Sequence, residues 1–93
     1  MIRRFSDKRT EQVFRGEAPK GFPSDLIVIA RRKLRMLHRA VRVEDLRVPP
    51  ANRLEALKGK RKGQYSIRVN DQFRICFVWK DGDAFDVEVT DYH

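Results

Sequence analysis

Three groups of residues in the second half of the chain could carry chemistry. Lys58-Gly59-Lys60-Arg61-Lys62-Gly63 sets four cations between and beside two glycines, and glycine lets a backbone approach a ligand closely. The stretch is not a P-loop, because it lacks the Gly-Lys-Ser/Thr ending and the helix that must follow. Taken alone, it reads equally well as a solvated turn. Asp91-Tyr92-His93 follow directly on a segment of strong strand alternation, which partly fixes their position. An imidazole can transfer protons near neutral pH, and a phenol and a carboxylate can assist it. No second histidine and no carboxylate cluster at ligand spacing stands beside His93, so no metal and no cofactor is expected. Arg68 and Arg74 lie between the loop and the tail, and the planar guanidinium fork suits phosphate oxygens. Arginines, a lysine, a phenol and an imidazole around one phosphate would suit metal-free cleavage of RNA. In that reaction the ribose 2′-hydroxyl attacks the adjacent phosphorus. One group takes its proton, another protonates the leaving 5′-oxygen, and cations stabilise the phosphorane.

Whether these groups can meet depends on the strands that carry them. Tyr65, Ile67 and Val69 alternate with Ser66 and Arg68; Phe73, Ile75, Phe77 and Trp79 alternate with Arg74, Cys76 and Val78; Phe85, Val87 and Val89 alternate with Asp86, Glu88 and Thr90. Asn70-Asp71 and Asp81-Gly82-Asp83 are turn material. If the apolar sets share one core, Val69 pairs with Phe73, Ile67 with Ile75 and Tyr65 with Phe77, around an odd loop at 70–72. The same logic pairs Trp79 with Phe85, Phe77 with Val87 and Ile75 with Val89, around a loop at 81–83. On the other face Arg68 then falls opposite Arg74, and Arg74 opposite Thr90, with Tyr92 continuing that row. Facing arginines destabilise a sheet, and the pattern puts no carboxylate between them; Glu88, opposite Cys76, is one step away. The expectation is an exposed phosphate clamp, and the ordinary alternative is neutralisation by Glu88 and solvent. Cys76 lies on that face by parity but lacks a histidine base, and is expected to be a structural, reduced thiol.

The first half must supply the helices. Ile2 and Phe5 could anchor a short first strand over 1–5, followed by a weak helix over 7–17 with Val13 and Phe14 apolar. Gly16, Pro19, Gly21 and Pro23 mark a loop. Ser24 is a good N-cap with Asp25 in the first turn. Leu26, Ile29, Ala30, Leu34, Leu37 and Val41 recur at helical spacing, opposite Arg31, Arg32, Arg35 and Arg39. His38 is expected to be an ordinary, partly exposed histidine. Leu54 and Leu57 suggest one shorter strand. The reading is α+β: two N-terminal helices packed on one face of a mostly antiparallel, twisted sheet of four to five strands, in a single domain over 1–93.

Composition bounds the function. The chain has 93 residues, 41% hydrophobic and 37% charged, which suits neither a disordered tail nor a membrane protein. The longest apolar runs, Leu26 to Ala30 and Ile75 to Trp79, are five residues, whereas a spanning helix needs roughly 20. Charge without an apolar run at the start argues against a secretory signal. The single cysteine excludes an internal disulfide and a cysteine-based zinc site. A cytoplasmic protein that does not touch membranes is expected. With 21 Lys and Arg against 13 Asp and Glu, the net charge is +8, which favours a polyanion as partner. Residues 53–68 hold 6 basic and 1 acidic residue, whereas 69–93 hold 2 and 6, so the cations concentrate just before the acidic strands.

Asn52-Arg53-Leu54-Glu55-Ala56-Leu57-Lys58-Gly59, then Gly63-Gln64-Tyr65-Ser66-Ile67-Arg68-Val69-Asn70-Asp71-Gln72-Phe73-Arg74-Ile75, then Asp91-Tyr92-His93 resemble the HigB toxins of the RelE/ParE superfamily, also called plasmid maintenance killer proteins. The likeness covers 49–93; the opening Met1 to Phe5 is compatible with it, and 18–48 match in pattern only. The resemblance implies the toxin of a type II toxin–antitoxin system, a ribosome-dependent mRNA endonuclease (mRNA interferase) acting in the ribosomal A site. It also implies a small helix-turn-helix antitoxin, HigA, and operator DNA reached only through the toxin–antitoxin pair. Carried over position by position, Lys58, Arg74, Asp91, Tyr92 and His93 match the family's active-site positions. Two departures stand out: some members have histidine where this chain has Glu55, and Lys60 stands where aspartate is common. On this resemblance, Arg74 and Lys58 hold the scissile phosphate and His93 transfers a proton. Tyr92 stacks on a base or assists, and Asp91 orients the tail or binds the ribose. Arg68, Lys60, Arg61 and Lys62, with the helix arginines, dock on RNA. The competing readings are a non-catalytic RNA- or DNA-binding module and an operon corepressor without catalysis. The first predicts salt-sensitive binding without cleavage. Against it, the aromatics sit in the core register rather than forming a stacking platform.

Overall fold

The computed structural model describes residues 1–91, so the expectations for Tyr92 and His93 lie outside the described residues. Asp7 opens helix α1, Lys8–Phe14, by accepting from the Thr10 amide at 3.2 Å, the usual way a short side chain satisfies an orphan N–H. Helix α2, Ser24–Arg39, buries Leu26, Ile27, Ala30, Leu34 and Leu37 on one stripe, as its periodicity requires. Ser24 is not its cap: Pro23 occupies that position and no side chain caps the helix. The helix also stops short of Val41, which is 75% exposed. The Val41 and Arg42 amides instead donate to the Asp45 carboxylate, each at 3.0 Å. That pulls the chain into a 3₁₀ turn over Val43–Arg47. Arg31 leaves the solvated face expected for it. Its Nε donates to Val13 O at 2.9 Å and its Nη2 to Glu17 O at 2.8 Å, which closes the end of α1.

Four strands follow: β1, Glu55–Ala56; β2, Gln64–Arg68; β3, Phe73–Lys80; and β4, Asp83–Asp91. They form one antiparallel sheet in the order β1-β2-β3-β4. The first strand expected over 1–5 reduces to two isolated parallel bridges, Ile2 to Ala84 and Phe5 to Val87, along the edge of β4. His38 is partly buried there and accepts from the Ile2 amide at 3.1 Å, the ordinary role expected of it. Val13, Leu34, Leu37 and Leu46 pack with Ile67, Ile75, Phe77 and Val87 in a core between helices and sheet.

The β2–β3 register is the one that alternation demands: Tyr65 opposite Phe77, Ile67 opposite Ile75 and Arg68 opposite Arg74. The β3–β4 register agrees only at one end, with Ile75 opposite Val89 and Arg74 opposite Thr90. Toward the turn it shifts, so that Val78 faces Phe85 and Trp79 faces Ala84. Two local conformations cause the shift. Asp81 and Gly82 both have positive φ, 52° and 80°, the signature of a two-residue type I′ hairpin rather than a three-residue loop. Asp86, at φ 52°, then supplies a β-bulge that restores the register. Consequently Ala84 enters the core, and Phe85 leaves it for the opposite face, where the Arg4 guanidinium lies 5.7 Å from its ring centre.

Candidate active site on the outer sheet face

Two adjoining rows on the face turned away from the helices concern the site. Glu55, Ser66, Cys76 and Glu88 stand side by side across all four strands, and Arg68, Arg74 and Thr90 form the next row. The sheet therefore puts Arg68 beside Arg74 as expected, but the pair is not the uncompensated couple anticipated. Glu55 Oε1 lies 3.3 Å from Arg74 Nη1, and Arg74 Nη2 donates to Arg53 O at 2.8 Å. Arg68 is paired with Asp71. The sequence marks Glu55 only as standing where some relatives have histidine; its pairing with Arg74 is not legible there, because a two-residue strand shows no alternation of its own. The signal available was Leu54, which packs against the core and so sends its neighbour outward. Arg53 adopts left-handed backbone geometry, φ 46° and ψ 54°, directly after the 3₁₀ turn Pro50–Asn52.

At the other end of the row, Arg61 Nη1 donates to Glu88 Oε1 at 2.8 Å and to Gln64 Oε1 at 3.0 Å. It is thus folded back on the sheet rather than extended from a solvated loop. Lys58, Lys60 and Lys62 are exposed. They lie in and beside a 3₁₀ turn, Gly59–Arg61, which Gly59 opens at φ 64° and Gly63 follows at φ 95°. Lys58 stands three residues beyond Glu55, where that turn begins. Ser66 and Cys76 at the centre of the row are wholly buried. Burial pushes the Cys76 thiol up from its ordinary pKa, against the pull of Arg61 and Arg74, in keeping with a structural thiol. The structure does not bring Asp91 to this row. Asp91 faces Phe73, shares the alternation of Val87 and Val89, and accepts from Gln72 Nε2 at 3.0 Å.

Chemically, the face combines a guanidinium already held on two sides, a half-exposed carboxylate beside it and an exposed lysine-rich turn. Such a set can bind a phosphodiester and move a proton next to it. Among the described residues, no group of three or more His, Cys, Asp and Glu side chains is placed to hold a metal ion. Among the described residues, no helix is long and apolar enough to cross a membrane either.

The family of HigB-like toxins, described as RelE-like toxins of the type II toxin–antitoxin system HigB, matches residues 3–93. The chain belongs to the HigB-like toxin family. It is 44% identical to toxin HigB-1 of Vibrio cholerae over 85 residues, which cover 90% of each protein. It is 30% identical to the endoribonuclease HigB of Proteus vulgaris over 93 residues, the whole of both. Among solved structures, a chain of the heterotetrameric YoeB–YefM toxin–antitoxin complex from Staphylococcus aureus superposes with a TM-score of 0.62 at 15% identity, covering 100% of this chain and 98% of that one. That likeness concerns the α+β fold alone; the RelE-like description is that of the matched family.

Proposed function

We propose that this HigB-like toxin is an endoribonuclease that cleaves translated mRNA in the ribosomal A site by metal-free attack of the ribose 2′-hydroxyl. The observation that carries the reading is Arg74, on the outer sheet face and clamped by Glu55 and the Arg53 carbonyl. Its guanidinium neutralises the scissile phosphate, and Lys58 supplies a second charge from the adjoining turn. Glu55 and His93 share the proton transfers, Glu55 having the position to serve because its carboxylate is half-exposed beside Arg74. Tyr92 stacks on a base or assists His93. Asp91, which accepts from Gln72, orients the tail or binds the ribose. Lys60, Arg61, Lys62 and Arg68 contact RNA backbone at the margin. The net charge of +8 supports docking on ribosomal RNA. The endoribonuclease activity named for the Proteus vulgaris relative supports the reaction class.

In this reading the toxin acts in the cytoplasm, and a HigA-type helix-turn-helix antitoxin neutralises it. Operator DNA is reached only through that complex. The test is cleavage of mRNA programmed on bacterial ribosomes, with ends mapped in the presence and absence of ribosomes. Wild type should cut only translated message, and Arg74→Ala and His93→Ala should cut slowly. Full cleavage by both variants removes the proposed site. Salt-sensitive RNA binding with no cleavage by wild type would favour the non-catalytic module or the corepressor. One observation favours an added binding surface: Phe85, which the bulge turns onto the outer face, offers an aromatic ring that the core register alone would have hidden.

A further inference from the structure

Lys33 sits on the buried stripe of α2, only 7% exposed, among Leu26, Ala30, Leu34 and Leu37. Its ammonium donates to Asn52 Oδ1, and among the described residues no carboxylate is paired with it. Burial lowers its pKa below the ordinary lysine value, and Arg32 and Arg68 lower it further. A buried charge without a counter-ion is expensive. An apolar side chain of the same length would fill the site more cheaply, so packing does not account for this lysine.

Asn52 is wholly buried as well. Its Nδ2 donates to Leu46 O at 3.1 Å and Val48 O at 3.4 Å, and lies 3.1 Å from Met36 Sδ. One amide group thus ties α2 to the turn over 46–52. The next residue, Arg53, takes left-handed geometry that side-chain-bearing residues rarely adopt. Such a conformation persists only where its surroundings enforce it. Its carbonyl is the one that accepts from Arg74 Nη2.

We infer that Lys33 and Asn52 are positioning residues for Arg74, fastening α2 to the 50–53 turn so that the strained Arg53 peptide aims its carbonyl at the phosphate-binding guanidinium. The chain of contacts runs Lys33 to Asn52, Asn52 through the backbone to Arg53, and Arg53 O to Arg74. Glu55, two residues further on, closes the other side of the same guanidinium. The inference rests on the reading of Arg74 as the phosphate-binding arginine.

The experiment is a double-mutant cycle in ribosome-programmed mRNA cleavage, with rates corrected for the folded fraction. Lys33→Met replaces the ammonium by an apolar chain of similar length. It should lower kcat between about ten- and a hundredfold with KM within twofold, the scale of a misplaced catalytic group. Arg74→Lys keeps a charge but not the fork. On that background Lys33→Met should cost less than a threefold further loss. A merely structural lysine would lower the folded fraction and leave kcat per folded molecule unchanged, which overturns the inference. Equal fold-losses on both backgrounds overturn it too. If Lys33→Met does not fold, Asn52→Asp is read in the same way, because it keeps the side-chain volume and an acceptor for Lys33 but loses the donated bonds. Failure of wild type to cut, or full activity of Arg74→Lys, would instead strike the functional reading beneath it.

Discussion

The two faces of this four-stranded sheet are held by different forces. On the helix side, Ile67, Ile75, Phe77 and Val87 are wholly buried against α1 and α2, and burial of that kind supplies most of a domain's stability. On the outer side, Arg74, Arg61 and Arg68 are held by Glu55, Glu88 and Asp71 at partly exposed positions, where each ion pair contributes little. The contrast teaches where stability and reactivity reside. One face can be spent on charge because the other has already secured the fold, so substitutions on the two faces should separate stability from activity.

The largest effect should come from the helix side. Phe77→Ala is expected to cost about 3–5 kcal/mol, the range for emptying a buried aromatic site, as read by urea unfolding. A loss of less than about 1 kcal/mol would mean that the helix face does not dominate stability. Next, Arg74→Ala should slow ribosome-programmed cleavage about 10²-fold or more, while the urea midpoint moves little. A matching fall in stability would erase the difference between the faces.

A smaller effect concerns Lys33, the charged side chain buried among the described residues of the helix side. Because the Lys33 pKa is lowered in the fold, the unfolded chain binds more protons over the interval below its ordinary value of 10.5, and stability rises with pH wherever that holds. Wild type should therefore gain stability relative to Lys33→Met as pH climbs from neutral toward that value. Paired urea titrations at several pH values measure this, and a difference that falls with pH would contradict it. The smallest effect should be Asp71→Asn, on a carboxylate 99% exposed in its pair with Arg68. Its thermal midpoint should match wild type, and a clear drop would show that outer-face ion pairs stabilise more than exposed pairs usually do.

The two hairpins show how far the chain can be read by eye. The β2–β3 hairpin follows from alternation because nothing interrupts it between Tyr65 and Phe77. The β3–β4 hairpin does not, because two positive-φ residues, Asp81 and Asp86, change the residue count. Asp81-Gly82 was the legible signal for a two-residue turn; a bulge at Asp86 carries no comparable signature. The end of α2 departs from its periodicity for a similar reason, since the Asp45 carboxylate captures two amides that periodicity alone would leave in the helix.

Periodicity and charge in the sequence by themselves determined the α+β class, the helix-facing stripe, the Arg68–Arg74 adjacency and the basic turn over 58–63. Each of these depends on residues near one another along the chain or on a strict two-residue repeat. Only the tertiary structure decided that Glu55 and the Arg53 carbonyl grip Arg74, that Arg61 folds onto Glu88, and that Lys33 reaches Asn52. Those partners are separated by 19 to 27 residues. Such pairings arise only when packing brings distant groups within hydrogen-bond range, which no local pattern encodes.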